Sequence, residues 1–284
     1  MGWLRLVLRL TGFVLFLIAT VGLATALLLT DLVTRRHIDR TPWARRCFRV
    51  ACRTLGLKVR VHGPAPETNA LFVSNHISWS DIPILGSLTP IRFLSKAEVG
   101  QWPVIGWLAR QAGTLFIKRG GGKARAIRRS IADHLSTGES VLIFPEGTTS
   151  TGLSVLPFHG LLLGAAGDSQ TLIQPVTVSY RRDGRPDHLA PFIGDDDFHT
   201  HLLRMLQQPS ARVDVLFHAP VSASAANTSE LSAQLHETVL TGLKRIQAGE
   251  FDQETGGLRK ADAPEPLRPQ SPHADPRFPG RSTG

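Results

Sequence analysis

His76 and Asp81 stand five residues apart in VSNHISWSDIP (residues 73–83), a stretch otherwise dominated by apolar and small side chains. An imidazole takes a proton near neutral pH, and does so best when a carboxylate holds its other ring nitrogen and stabilises the cation that forms. On one continuous helix, residues five apart point roughly 140° away from each other and could not meet. LFVS reads as a strand and SDIPILGSL as a short helix with Ser80 a plausible cap, so a strand-to-helix turn at His76 could fold back onto Asp81. The plainer reading is a satisfied loop histidine next to an acid that merely suits a helix N-terminus.

Two further stretches carry candidate chemistry. Lys118 and Arg119 follow the strand-like TLFIK and precede Gly120–Gly122 and a helical pattern. Backbone amides of such a loop, with two cations beside them, could hold a phosphate. It is no nucleotide P-loop: Ile117 and Ala124 stand where that motif needs glycine and a magnesium-binding hydroxyl. A solvated basic loop is the alternative. In VLIFPEGTTS, Glu146 sits between Pro145 and Gly147 at a strand end, placed either to accept hydrogen bonds from a hydroxyl-bearing substrate or to be an exposed acid in a tight turn. The other histidines, His134, His159, His199, His201 and His218 among them, show no metal-ligand spacing, so no metal is expected. Gly167-Asp168-Ser169 only faintly echoes a hydrolase motif.

Short apolar runs (KVRVH, NALFVS, IRFLS, TLFIK, SVLIF, TLIQPVTVSY, RVDVLF) alternate with helical patterns (WPVIGWLARQAG, KARAIRRSIADHLSTG and a C-terminal helix capped by Ser229), with LLLGAA read as an apolar turn. This alternation predicts an α/β fold over residues 58–248, a mixed sheet flanked by helices. Residues 249–284, with six prolines beyond Phe251 and no periodicity, read as a disordered Pro-rich tail. Residues 1–57 form a third segment. Residues 11–30 run uncharged for about the length of a bilayer core, a retained membrane anchor or, less simply, a signal peptide. A helix opened by Pro42 follows, with Trp43, Cys47, Val50 and Leu55 on one side and arginines elsewhere, as on an anionic leaflet or an ordinary solvated face.

The 284 residues carry a formal charge of +9, which favours an anionic partner such as a membrane surface, a phosphorylated substrate or nucleic acid. A single tyrosine and no aromatic–basic interleaving argue against nucleic acid. Seven arginines between Arg35 and Arg53, against Arg5 and Arg9 before the apolar run, place the rest of the chain on the cytoplasmic side of the cytoplasmic membrane. Cys47 and Cys52 suit neither a disulfide framework nor a zinc cluster.

NHISWSD resembles the N-H-x-x-x-x-D block of the glycerophospholipid (1-acylglycerol-3-phosphate) acyltransferases. GTLFIKR, FPEGTTS and LIQPVTVSY are similar to that family's second, third and fourth blocks, in the same order. SKAEVGQWPVIGWLARQAG resembles the connecting run through Lys96, Glu98, Pro103, Gly106 and Gly113. The likeness covers about residues 55–180 and implies an N-terminal membrane-embedding helical segment. It also implies that His76 is the general base and Asp81 its orienting partner. By the same likeness Lys118 and Arg119 hold the acceptor's phosphate, Lys96 adds to that site, and Glu146, Gly147 and Thr148 position the acceptor. The donor would be acyl-CoA or acyl carrier protein as a substrate, with no resident cofactor. Two positions depart from the pattern: Thr149 replaces the usual arginine of F-P-E-G-T-R-S, and Gln174 stands where an apolar residue is common.

The expected activity is transfer of a fatty acyl chain to the hydroxyl of a lysolipid in phospholipid biosynthesis. 1-Acylglycerol-3-phosphate, giving phosphatidic acid, is the first acceptor and a lyso-ornithine lipid or other lysophospholipid the alternative. A lysophospholipid hydrolase is disfavoured because no G-x-S-x-G elbow is present. A non-catalytic lipid-binding protein would leave His76, Asp81, Arg119 and Glu146 at strand ends without a reason.

Overall fold

In the computed structural model, residues 2–36, 38–117, 124–223 and 227–252 are described. Lys118, Arg119 and the glycine loop lie outside them, as does nearly all of the Pro-rich tail. The first half of the chain runs α1 Gly2–Thr34, α2 Thr41–Thr54, β1 Leu57–His62, β2 Ala70–Ser74, α3 Asp81–Leu88, β3 Arg92–Lys96, α4 Ile105–Gln111, β4 Leu115–Ile117 and α5 Ala124–Ser136. The second half runs β5 Val141–Ile143, α6 Gly164–Asp168, β6 Leu172–Arg182, β7 Arg185–Pro186, α7 Phe198–Gln207, β8 Ala211–Phe217, β9 Val221–Ser222 and α8 Thr228–Gln247.

The sheet is mixed, in the order β1-β8-β6-β2-β5-β3-β4. Every neighbouring pair in that path is parallel except β6–β8, and β7 and β9 add antiparallel to β6. Period-two alternation splits the core in two. Ala70 and Phe72 of β2, with Val176 and Val178 of β6, pack toward α1, α2, α3 and α7. Leu71, Val73, Val141, Ile143 and Ile173 pack toward α5, α6 and α8 on the other face. Strands covered on both faces read as unbroken apolar runs, which is why β2 is buried along its whole length.

Several elements depart from the sequence reading. LLLGAA is a 3₁₀ turn running into α6, not a simple turn. Ser80 precedes α3 in the αR region rather than the extended conformation of a capping residue, and makes no cap bond. Asn227, extended in ψ, caps α8 in place of Ser229, accepting from the Ser229 amide. The helix α7 was not anticipated, and its first turn is fastened by Asp197, which accepts from the Thr200 amide. Phe251 closes the domain past the expected boundary at 248: it is buried and stacks on His62 at 4.4 Å.

The helix α1 is long and apolar enough to cross a membrane, at roughly 50 Å by its rise per residue. It nonetheless lies against the domain. Arg5 and Arg9 donate to the carbonyls of Gln207 and Gln208 at the C-terminal end of α7, where the helix dipole is negative. At the far end, Asp31 of α1 pairs with Arg40 at 2.6 Å and accepts from the Ile38 amide. Most of its apolar side chains, Trp3, Leu8, Leu15, Ile18 and Val33 among them, are exposed.

The edge that carries the site depends on Asn75. Its buried amide donates to Val178 O and accepts from Val178 N, at 2.9 and 2.8 Å, extending the β2–β6 ladder one step past the last paired residue, Ser74. Asn75→Ala strands both backbone groups of Val178 in the interior and should cost about 2–4 kcal/mol. Chemical denaturation in detergent checks this, and an unshifted midpoint would contradict the bridging role.

Candidate active site

Because β2, β5, β3 and β4 run parallel, the groups that follow them emerge at one edge of the sheet, where open α/β sheets bind ligands. His76 follows β2, Glu146 follows β5 and Lys96 ends β3. The chain turns sharply after Asn75, and that turn brings the predicted pair together: His76 Nδ1 lies 2.8 Å from Asp81 Oδ2. The same oxygen accepts from the backbone amides of Ile77 (2.8 Å) and Ser78 (3.0 Å). Oδ1 accepts from the Tyr180 hydroxyl at 2.6 Å. Asp81 is therefore completely buried yet satisfied on both oxygens. With Nδ1 as the donor, Nε2 becomes the basic nitrogen, and it has no partner among the described residues.

His76 is held on every side. Its ring stacks on Phe144, 3.8 Å between centroids and 10° from parallel. Its amide donates to Glu146 Oε1 at 2.6 Å, and its carbonyl accepts from the Ser150 amide at 2.8 Å. Glu146 is buried, and its second oxygen accepts from the Leu156 amide at 2.9 Å. Burial pushes the Glu146 carboxyl above its ordinary range, against the two amides that pull it down. The acid expected to face a substrate hydroxyl thus points both oxygens at backbone amides. It braces the turn that carries the imidazole.

Gly147 adopts φ +71°, which its lack of a side chain permits, and its amide is spent on Phe144 O. Thr148 also lines the cavity, and its amide makes no hydrogen bond among the described residues. Lys96 is exposed at the cavity wall. The Thr149 hydroxyl donates to Phe192 O, so that side chain ties the turn to the loop before α7 and supplies no charge. Gln174 is buried with its amide bonded to His218 O and the Glu67 amide, which explains how a polar residue is tolerated in β6.

The cavity is about 1470 Å³, above the roughly 300–1,000 Å³ usual for a small-molecule pocket. His76, Glu146 and Thr148 lie at one part of its wall; Phe16, Thr20 and Leu27 of α1 and Cys47 of α2 form another. A mostly apolar lining that includes a few polar side chains suits an amphiphile. Sequence reasoning missed Asn75, Ser150 and Tyr180 as contributors. It also missed His201 of α7, which accepts from Trp79 Nε1 at 3.0 Å and so ties α7 to the His76–Asp81 loop.

Comparison with known proteins identifies the family. Residues 58–179 match the family model described as Acyltransferase. The lyso-ornithine lipid O-acyltransferase of Pseudomonas aeruginosa is 44% identical over 247 residues, 86% of this chain and 95% of that protein. The 1-acyl-sn-glycerol-3-phosphate acyltransferase of Neisseria gonorrhoeae is 30% identical over 205 residues, 71% of this chain and 79% of that protein. The crystal structure of the 1-acyl-sn-glycerophosphate acyltransferase from Thermotoga maritima superposes with a TM-score of 0.65, covering 87% of this chain and 98% of that one at 24% identity, which shows a shared fold. With most of its length matched at this identity, the chain belongs to the acyltransferase family of lipid-synthesising enzymes.

Proposed function

We propose that the protein moves a fatty acyl chain from a thioester to the free hydroxyl of a lysolipid, with His76 as general base. The observation that carries this reading is the 2.8 Å pairing of His76 with a fully buried Asp81 at the wall of an apolar cavity. His76 Nε2 takes the hydroxyl proton as the oxygen attacks the thioester carbonyl. The tetrahedral oxyanion collapses, the C–S bond breaks, and the leaving thiolate recovers the proton from the imidazolium. Asp81 keeps the tautomer and stabilises the cation. The unbonded Thr148 amide is our candidate donor to the oxyanion. The thioester is acyl-CoA or acyl carrier protein, a substrate and not a cofactor.

Both acceptors expected from the sequence stay in view, and Thr149 sets their order. A phosphomonoester needs concentrated positive charge, whereas an ornithine head group carries its own ammonium and a carboxylate. With a neutral hydroxyl tied to Phe192 in place of an arginine, the site suits lyso-ornithine lipid first and 1-acylglycerol-3-phosphate second. The relative at 44% identity is named for the first of these acceptors and the Neisseria relative for the second. Lys118 and Arg119 keep their expected role toward an anionic head group, joined by Lys96.

The exposed apolar side of α1 and the arginines of α2 support seating on the cytoplasmic leaflet of the cytoplasmic membrane. Because both ends of α1 are fastened to its own domain or to the start of α2, the helix embeds alongside the enzyme and does not run away from it through the bilayer. Acceptor then enters the cavity from the leaflet without leaving lipid.

A panel of lysolipids offered to purified protein with both acyl carriers tests the assignment. Lyso-ornithine lipid should be acylated fastest, and Thr149→Arg should shift the ratio of kcat/KM toward 1-acylglycerol-3-phosphate; fatty acid released equally fast without acceptor would overturn it. His76→Ala should lower turnover by at least about 100-fold, the low end of general-base catalysis, with Asp81→Asn costing comparably. Near-normal turnover in folded His76→Ala protein excludes the mechanism. Glu146→Gln sets an amide donor against one of two backbone N–H groups, and should lower kcat about tenfold or more while the acceptor KM barely moves. A raised KM at unchanged kcat would instead return Glu146 to acceptor binding.

A further inference from the structure

Beneath the His76–Asp81 pair lies a side chain that none of the matched sequence blocks assigns to the chemistry. Tyr180 is the only tyrosine in the chain. The pairing of β2 with β6 ends at Ser74 and Val176, and the Asn75 amide serves Val178. Tyr180, two residues further on and on the same face, runs past the end of β2 and under the start of α3. There its hydroxyl reaches Asp81 Oδ1 at 2.6 Å and Ser80 Oγ at 2.7 Å. A phenol has one proton. With it given to the carboxylate, the Ser80 hydroxyl donates to the phenol oxygen and fixes its rotor. Tyr180 is almost completely buried and Asp81 wholly so, so water cannot stand in for either partner.

We propose that Tyr180 is a positioning residue for acyl transfer: by holding Asp81 Oδ1, it keeps Oδ2 aimed at His76 and sets how much negative charge the imidazole sees. The proposal rests on the reading of His76 as the base. The division of labour between the two oxygens supports it. Oδ2 gathers His76 and the Ile77 and Ser78 amides, while Oδ1 has Tyr180. Without the phenol, Oδ1 becomes a buried, unpaired carboxylate oxygen, and a partial turn of the carboxylate plane about the Cβ–Cγ bond would weaken the three contacts to Oδ2 together. Burial beside the carboxylate pushes the phenol far above its ordinary range, so it stays a donor throughout the working pH.

The direction of the effect is fixed by charge. Removing the donor leaves more negative charge on the carboxylate and stabilises the imidazolium, which carries the acid limb of activity to higher pH. A stronger donor does the reverse. Other titratable groups near the pair or along the cavity wall are Glu146 on the His76 amide, Lys96, Glu98, His159, Asp196, Asp197, His199, Arg40 and Cys47, with Cys52 of α2 close enough to Tyr180 to act on its phenol. None of them is altered by the substitutions below.

In Tyr180→Phe, kcat should fall about tenfold with acceptor KM within twofold, and the acid limb of the kcat/KM profile should move to higher pH. Because there is one tyrosine, global incorporation of 3,5-difluorotyrosine labels this position alone. Its more acidic phenol keeps the hydrogen bond, and the acid limb should move to lower pH, a readout available even if Tyr180→Phe fails to fold. In an Asp81→Asn background, Tyr180→Phe should add no further loss of kcat. Unmoved acid limbs in the fluorinated protein, or losses that simply multiply in the double variant, overturn the proposal. Retained turnover in His76→Ala would sink the base assignment itself, so the two failures are told apart.

Discussion

A carboxylate taken fully out of water is the constraint on which the site depends. Burying an unpaired ion costs several kcal/mol even after relaxation, so Asp81 is tolerable only because donors converge on it. Two of those donors are backbone amides of the segment that must turn, Ile77 and Ser78, and a third is the ring of His76. The interaction that orients the imidazole is therefore the same one that bends the chain from β2 into α3. Fold and chemistry cannot be varied separately there. An apolar residue at 81 would release the turn and the imidazole at once, whereas asparagine keeps the volume and changes the charge.

The second constraint comes from across the sheet. A side chain at the end of a strand is only as well placed as its backbone, and the turn after β5 grips the His76 peptide from both sides, through Glu146 on the amide and Ser150 on the carbonyl. Phe144, at the end of the same strand, supplies the flat surface on which the imidazole rests. Parallel pairing of β2 with β5 brings these two ends together. The third sequence block thus serves the first, with both oxygens of Glu146 accepting from backbone amides of the turns they join.

What was legible in the sequence follows from range. The apolar runs of β2, β5 and β6 announce strands because both faces are covered, and the His–Asp spacing announces a turn because no single helix could join them. Thr149 was legible as a departure, though not as a tie to Phe192. Tyr180 and Asn75 were not, since their partners lie about a hundred positions away and nothing local marks a tyrosine at the end of an apolar strand as a donor to a buried acid. The helix α7 is a different case. Phe198, Leu202, Met205 and Leu206 recur at helical spacing behind the Asp197 cap, so the pattern was present, but three histidine and threonine positions dilute it. Glu146 was read correctly as a strand-end acid; only tertiary contact reveals which donors it meets.

Those long-range ties change what the N-terminal segment is for. A helix pair that only anchored the enzyme could be deleted and replaced by any other anchor. Here α2 packs on α3 so closely that a side chain at Gly86 would strike the Phe48 ring, and Arg45 of α2 caps α3 by donating to Leu88 O. The helix so held begins at Asp81. Meanwhile α1 lines the cavity and is pinned to α7, whose His201 reaches the Trp79 indole within the His76–Asp81 loop. Position of the His76–Asp81 pair and one wall of the cavity are thus both set by residues that the sequence presents as a membrane anchor. Through these contacts α1 and α2 bear directly on the placement of the His76–Asp81 loop, whatever else they anchor.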